Sequence, residues 1–436
     1  MSAALRLPTV GSLRDFAAIR ARPLRFIVDT WRAHGDLVWV RFGGRRVLLA
    51  NHPRHVQHVL VRDANRYSKA TRGQALLVHI LGRGLLTSSG DFWKRQRRIA
   101  QPAFRRAVIA GFAETMRTAT LDLVADLRAN PGPINLNEVM SRLTLRIAGE
   151  TLFSQDISAR GDTVGENLSH LVEDFTRLGT HPLPGWERFP TPKNLAFNRA
   201  LQELDRVVFE IIRQRRSEAP VADLLGLFMA AVDDDDGSGM TDQQLRDEVL
   251  TMLLAGHETT ASAMTWTLML LSQHPAIARR LYTEVSALPP ERAWEAPYVK
   301  QVVEESMRLY PPAWIISRRA EQDTELDGAL IPTGTSVYLT TYAAHRHPDF
   351  WDNPEGFDPD RFAPDRPRPA PGAYLPFGGG GRKCIGNHFA MMEARIILSI
   401  LVRHFSVALG AGQIVRPQAS VTLRPAGGLW AEMRVR

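Results

Sequence analysis

Residues 377–386 read Phe-Gly-Gly-Gly-Gly-Arg-Lys-Cys-Ile-Gly and hold the one cysteine of the 436-residue chain. Gly378 to Gly381 leave out every Cβ over four positions, so the backbone is free to take positive φ and to lie close beneath a flat or anionic group. Beyond the cysteine, Asn387, Met391, Ala394, Ile397, Leu398, Leu401 and Phe405 recur with the spacing of an amphipathic helix, which places Cys384 at a helix entrance. There the helix dipole and the free N–H groups of the first turn favour the thiolate over the thiol. A lone cysteine is ordinarily a small buried hydrophobe. This one sits in a loop suited to close approach.

Other glycine-loop chemistries fail on spacing. A phosphate-binding P-loop needs Gly-Lys followed by Ser or Thr, whereas here Arg382 interrupts and Cys384 follows Lys383; a dinucleotide loop needs a preceding strand and a third glycine in place. The pattern F-x-x-G-x-R-x-C-x-G, in contrast, is met at every fixed position by Phe377, Gly380, Arg382, Cys384 and Gly386. It resembles the haem-thiolate loop of the cytochrome P-450 family. The resemblance implies that Cys384 is the proximal ligand of iron in haem b (iron protoporphyrin IX), that Arg382 pairs with a haem propionate, and that dioxygen is the cosubstrate. A soft anionic donor pushes electron density toward iron and favours O–O cleavage.

The bulk composition agrees with a globular protein: 44% hydrophobic and 23% charged residues are the proportions of a chain with a large core. One cysteine rules out an intrachain disulfide and fits a reducing cytoplasm. The start, MSAALRLPTVGSLRDF, carries no apolar run of signal-peptide or anchor length, so a soluble protein without a membrane anchor is expected. The excess of 54 Lys+Arg over 46 Asp+Glu raises the question of an anionic partner. Nucleic acid is not expected, because the basic residues are scattered and no basic run is interleaved with aromatics. The densest group, Lys94, Arg95, Arg97, Arg98, Arg105 and Arg106, reads as a helix face.

Along the chain, Leu37–Arg41 and Arg45–Ala50 flank Gly43-Gly44 and read as a hairpin. Helical signals then dominate, with helices expected from Pro53 to Leu60, from Ala107 to Ala129 and over Leu136 to Phe153, and with Ser89-Gly90-Asp91 as a cap. The proline-punctuated stretch Thr180–Pro192 reads as a lid, and Asp233–Asp236 as a solvated acidic turn without a role. The longest apolar segment, Val249–Leu271, is long enough to span a bilayer, but His257 and Glu258 at its centre argue for a helix buried in a globular protein. Strands are expected at Thr335–Leu339, Ala419–Leu423 and Trp430–Val435. The expected fold is mainly α, a single cytochrome P-450 domain over 1–436 with a small β-rich part at about 37–50, 330–340 and 419–435.

Three further motifs carry chemistry. Ala255-Gly256-His257-Glu258-Thr259 puts a hydroxyl beside a carboxylate, and a glycine in a helix interior costs roughly 1 kcal/mol, which suggests close approach of another group to the backbone. Read alone, the Glu-Thr pair is equally a cap or a back-bonded threonine; it also matches the family's oxygen-activating A-G-x-[DE]-T, in which Glu258 and Thr259 would be the catalytic acid and alcohol. Glu305 and Arg308 stand at i and i+3, ordinarily a surface pair worth a few tenths of a kcal/mol. Their position ahead of the cysteine, with Arg361 between, resembles the family's structural network behind the haem loop. Trp93 and Arg97 at i and i+4, with Arg318, match residues that contact haem propionates; Arg319 is a possible alternative in register, and His345 is a weaker candidate for the same task, equally readable as a core histidine.

The resemblance implies a haem-thiolate monooxygenase that places one oxygen atom of dioxygen into an apolar organic substrate, by hydroxylation or epoxidation, in a monomeric protein served by a separate ferredoxin or flavodoxin with its reductase. The basic group and Lys383 would form the docking face. The pocket would draw on Leu76, Leu77 and Ile80, on Trp186 and Phe189 of the lid, on Leu253 and Ala255, on Ala313, Trp314 and Ile315, and on Val421. Terpenoid, fatty acyl, steroid and macrolide-like substrates all suit such residues. A haem-based gas sensor would share Cys384 but need no proton delivery, and a thiol enzyme would use Cys384 with His388.

Overall fold

The structure is a computed structural model that describes residues 7–42, 45–154, 161–179, 181, 185–219, 221–233 and 237–436. The Gly43-Gly44 turn, Asp234–Asp236 and residues 180 and 182–184 of the expected lid lie outside the described residues. The chain divides into two compact units, one of Met1–Ala75, Glu304–Cys384 and Val421–Leu423, the other of Leu76–Val303, Ile385–Ser420 and Arg424–Arg436.

The first unit is built on a six-stranded sheet. Leu37–Phe42 and Arg45–Ala50 pair antiparallel with Leu37 opposite Ala50, and the second of them runs parallel to Ser336–Leu339. The next neighbour, Ile316–Ala320, is antiparallel. Because successive strand side chains point to opposite faces, Leu37, Trp39, Leu48 and Ala50 pack on one side with Val56, Val59 and Leu60, while Val40 and Leu49 pack on the other with Phe26, Ile27 and Trp31 of the Pro23–His34 helix. Both faces are thus covered, which explains why the hairpin reads as nearly continuous apolar sequence. The hairpin Thr324–Leu326/Ala329–Ile331 turns on Asp327 and Gly328, both at positive φ (52° and 76°), the geometry that Asp-Gly supplies in a tight turn.

The helix entered at Pro53 does not stay α-helical. After Gln57 the backbone loosens into a π-helical turn, His58–Arg62, in which the Asp63 N–H reaches back five residues to the His58 carbonyl (2.9 Å). Such turns are rare, and this one has a consequence for the cysteine loop.

The second unit is helical. Its spine is Asp242–Gln273, 32 residues opened by a complete capping box between Thr241 and Gln244. The helix begins seven residues before the apolar run that announces it and is buried along most of its length. Among the described residues no helix is long and apolar enough to cross a membrane. Leu136–Phe153, with the boundaries expected, packs on the spine, and the Thr144 hydroxyl donates to the His257 carbonyl at 3.0 Å. The expected Ala107–Ala129 helix is two, Arg106–Ala110 and Ala113–Ala129, because the chain tightens at Gly111, whose N–H bonds the Val108 carbonyl at 3.0 Å. Trp430–Val435 pairs with Phe405–Leu409 and Pro133–Asn135, so these terminal strands belong to the helical unit and not with the hairpin sheet.

Candidate functional site

Cys384 closes a loop whose form depends on two residues of the same unit. The Cys384 N–H donates to the Phe377 carbonyl at 2.9 Å, and a short turn at Gly380–Arg382 is tied by the Lys383 N–H to the Gly380 carbonyl at 3.1 Å. Gly380 lies at φ +64°, and a Cβ there would stand 2.0 Å from the carbonyl oxygen of Leu60, in the π-helical turn. This glycine is therefore demanded by the protein's own packing, in addition to any cofactor. The Cys384 side chain is exposed, and the Asn387–His404 helix starts three residues later.

In the same unit, Glu305, Arg308 and Arg361 come together. Arg308 donates to both carboxylate oxygens of Glu305 (2.7 and 2.8 Å), with both side chains fully buried, and to the carbonyls of His345 (3.0 Å), Pro354 (2.6 Å) and Gly356 (2.8 Å). Arg361 joins at 3.3 Å from Glu305, which also accepts the Asp358 N–H at 2.9 Å. Removal of one partner from such a pair leaves a buried charge uncompensated, at about 3–5 kcal/mol.

His345 corrects an expectation. It is fully buried; its Nε2 accepts the Leu375 N–H at 2.8 Å and its Nδ1 donates to the Arg308 carbonyl at 3.3 Å. Burial pushes its pKa down to about 3. A neutral ring with both nitrogens committed to backbone has no N–H for a propionate; it braces the chain two residues ahead of Phe377.

Arg318 and Arg319 are separated by strand periodicity, Arg319 exposed and Arg318 turned inward. The Arg318 guanidinium bonds only the Ser317 carbonyl (2.8 Å) among the described residues, and burial pulls its pKa down to about 10. Trp93 and Arg97 lie together in the helical unit, the guanidinium carbon 5.9 Å from the ring centroid.

In the spine helix, the Thr259 hydroxyl donates to the Ala255 carbonyl at 2.5 Å. Glu258 lies between a cation and a ring nitrogen, Arg424 at 3.9 Å from Oε1 and His257 at 4.0 Å from Oε2. A Cβ on Gly256 would meet no protein atom within 4 Å, so no neighbouring protein segment requires this glycine.

Residues 2–430 match the model of the cytochrome P-450 family. The chain belongs to the cytochrome P-450 family. It is 37% identical over 423 residues to cyclooctatin synthase of Streptomyces melanosporofaciens, spanning 94% of this chain and 91% of that one. It is 35% identical to cyclooctat-9-en-7-ol 5-monooxygenase of the same organism (88% and 85% covered) and 33% identical to pentalenene oxygenase of Streptomyces avermitilis (92% and 90%). Its fold matches the crystal structure of the cytochrome P-450DA haem domain with a TM-score of 0.90 at 26% identity, over 99% of this chain and 97% of that one. The protein is a cytochrome P-450 monooxygenase that oxidises an organic substrate with electrons from a redox partner. Haem ligated by thiolate is the cofactor of the family, and the residues here fit it: an exposed sulfur on a loop of fixed shape, and a desolvated arginine whose charge no carboxylate of the described residues offsets, as a propionate would.

Several expectations for this P-450 change. Leu76, Ile80 and Leu253 expose 5% or less of their surface and are core residues, with too little free area to line a cavity. Trp314 and Ile315 pack on the sheet core of Trp31, Val40 and Leu49. Leu77, Ala255, Ala313 and Val421 are half-buried. Trp186 stacks on His181 (4.4 Å, 9°) and on Phe189 (5.1 Å), which is itself 52% exposed. Asp233 is not solvated: it is buried and holds Arg95 (3.0 Å) and Arg98 (2.7 Å), which removes these two from the free basic face. Arg105, Arg106 and Lys383 remain exposed, Arg106 with its Nε 3.4 Å from Nε2 of His388.

Asp36, His52 and His347 form the cluster among the described residues with metal-like spacing, their ligand atoms within 4.8 Å. Hydrogen bonding argues against a metal there. Nδ1 of His52 accepts the Arg54 N–H (3.0 Å) and Nδ1 of His347 accepts the Asp349 N–H (3.3 Å), so each neutral ring carries its proton on Nε2, where a metal would need a bare nitrogen. Asp36 instead accepts from Trp31 (2.8 Å) and His347 (3.2 Å), and pairs the helix end to the chain after Ala344.

Proposed function

We propose that the protein hydroxylates or epoxidises a cyclic terpenoid in secondary metabolism, with haem b bound through Cys384. What carries the reading is identity of 33–35% along about nine-tenths of the chain to oxygenases named for cyclooctat-9-en-7-ol and pentalenene, joined to complete thiolate-loop and acid–alcohol motifs.

When bound, thiolate-ligated haem activates dioxygen so that one oxygen atom enters the substrate and the other leaves as water. The chain supplies the rest. Cys384 offers the anionic sulfur; Arg318 and Arg382 in the first unit, and Arg97 with Trp93 in the second, each match propionate-contacting positions of the family; Phe377, Gly380 and Gly386 shape the loop. Glu305, Arg308 and Arg361 brace it. Reduction of dioxygen consumes protons, and Glu258 with Thr259 delivers them. The bond from Thr259 to the Ala255 carbonyl turns the hydroxyl oxygen's lone pairs outward, ready to accept a hydrogen bond. Trp186 and Phe189, with Leu77 and Ala255 of the same unit, supply apolar contact for substrate.

Electrons come from a ferredoxin or flavodoxin and its reductase, docked on exposed Arg105 and Arg106, to a monomer in the cytoplasm, where a reducing medium keeps the one cysteine from being oxidised. Transfer should slow steeply with salt. The substrate reading is tested by titrating cyclic terpene hydrocarbons and alcohols against the ferric spectrum and identifying products: tight spectral binding of fatty acids with none of terpenes would overturn it. Thr259→Ala is expected to keep haem and substrate binding and divert reductant to hydrogen peroxide; unchanged coupling would show that another group delivers the protons.

A further inference from the structure

The variable position of the acid–alcohol motif is occupied by His257, and its surroundings are specific. The ring is buried, 1% exposed, on the spine helix. Nδ1 lies 3.3 Å from the Leu253 carbonyl, which can only accept, so in the neutral ring Nδ1 carries the proton. Nε2 is then a bare lone pair, and the Ser141 hydroxyl, 3.1 Å away, donates to it. Desolvation holds the imidazole below its ordinary pKa and keeps this neutral form. The same Nε2 is 4.0 Å from Oε2 of Glu258, whose other oxygen faces Arg424 at 3.9 Å. Ser141 is half-buried beside exposed Arg142, on the Leu136–Phe153 helix. The Thr144 hydroxyl on that helix holds the His257 carbonyl at 3.0 Å and so fixes the ring's distance from Ser141.

We infer that Ser141 and His257 form a proton relay that recharges Glu258 from the solvent side, with Arg424 set against the other oxygen of the Glu258 carboxylate. This rests on the reading of Glu258 and Thr259 as the proton-delivering pair. The transfer involves protons alone. A hydrated proton from solvent passes to the Ser141 oxygen, leaving water, as the hydroxyl proton passes to Nε2, giving a transient imidazolium; a small rotation closes the 4.0 Å gap, the Nε2 proton moves to Oε2 of Glu258, and the neutral ring returns. Among the described residues, the groups that face the ring are Glu258 on its own helix, the Ser141 hydroxyl on the neighbouring helix, and, through Glu258, Arg424 from the Leu423–Pro425 strand, while Thr144 bonds the His257 backbone carbonyl; Glu393 of the Asn387–His404 helix stands beside Thr260. A packing histidine would need Leu253 and Ser141 but not a lone pair aimed between a hydroxyl and a carboxylate. His257 is a positioning residue in this scheme, since it acts through Glu258.

The test uses the haem-loaded enzyme with its reductase system. His257→Gln fills the space and accepts from Ser141 but does not titrate. It is expected to keep the red-shifted ferrous carbon-monoxide band and substrate binding, to lose roughly threefold or more of the product formed per reductant, and to flatten the pH dependence of that ratio below neutrality. Ser141→Ala is expected to lower coupling in the same direction, and it carries the decision if His257→Gln does not fold. Independently of turnover, 15N spectra of histidine-labelled enzyme in the diamagnetic ferrous carbon-monoxide form should show one ring in the Nδ1–H tautomer that shifts in Ser141→Ala; an Nε2–H tautomer for that ring overturns the relay. So does wild-type coupling and pH profile in both variants while Glu258→Gln and Thr259→Ala uncouple. If those last two also leave coupling intact, the failure lies with the acid–alcohol reading itself.

Discussion

Gly380→Ala isolates the dependence of the cysteine loop on the π-helical turn. The new Cβ would stand 2.0 Å from the Leu60 carbonyl oxygen at a backbone φ of +64°. A left-handed conformation costs a non-glycine residue about 1–2 kcal/mol, and an atom forced into a packed position costs about 1–3 kcal/mol. Together these give roughly 2–5 kcal/mol, a large share of the 5–15 kcal/mol typical of a domain. The strain falls on the Gly380–Arg382 turn, which ends two residues before the sulfur. Gly379→Ala is the control: φ is −149° there and the nearest side-chain atom, in Leu375, would be at 3.4 Å. Guanidinium unfolding and the ferrous carbon-monoxide spectrum are the readouts. Gly380→Ala should lower the midpoint clearly and shift part of the band away from the thiolate position, with Gly379→Ala within about 1 kcal/mol of the parent. Equal, small effects of the two substitutions would refute the argument that Leu60 shapes the loop.

Two other outcomes follow from the spine helix and its neighbours. Gly256→Ala meets no protein atom and gains helix propensity, so the haem-free chain should be stabilised by about 1 kcal/mol while dioxygen or substrate binding weakens; thermal denaturation and spectral titration check the two halves. Burial raises Glu248 and Glu393 from 4.5 to about 8 each, Glu248 despite accepting the Leu85 N–H at 3.1 Å and Glu393 despite the Thr260 hydroxyl beside it. The folded state therefore holds protons that the unfolded chain releases. Their stabilising effect is complete below about pH 4.5 and is lost as pH rises through 8, at roughly 1 kcal/mol per pH unit for each group. Glu393→Gln should flatten that slope in denaturation measured from pH 5 to 8, and an unchanged slope would contradict it.

Local patterns in the chain carried much of this. Periodic or continuous apolar residues mark Leu136–Phe153 and the buried part of the spine helix, since helix geometry repeats over a few residues whatever surrounds it. The hairpin, the thiolate loop and Glu258-Thr259 are equally short and equally readable. Glu305 and Arg308 were visible as a pair, but nothing nearby in sequence showed that both are fully buried and that three distant carbonyls take up the rest of the guanidinium.

What sequence alone determined was the set of local conformations and the chemistry they offer: a sulfur in a glycine loop, and an acid beside an alcohol on a buried helix. Tertiary structure decided the partners. Asp233 meets Arg98 across 135 residues, Ser141 meets His257 across 116, Gly380 lies against Leu60, and His345 bonds backbone instead of facing a propionate. The reason is physical: dihedral preference and side-chain period act over a few residues and are written in the order of the chain, whereas burial and charge pairing depend on which remote segments packing brings within a few ångströms.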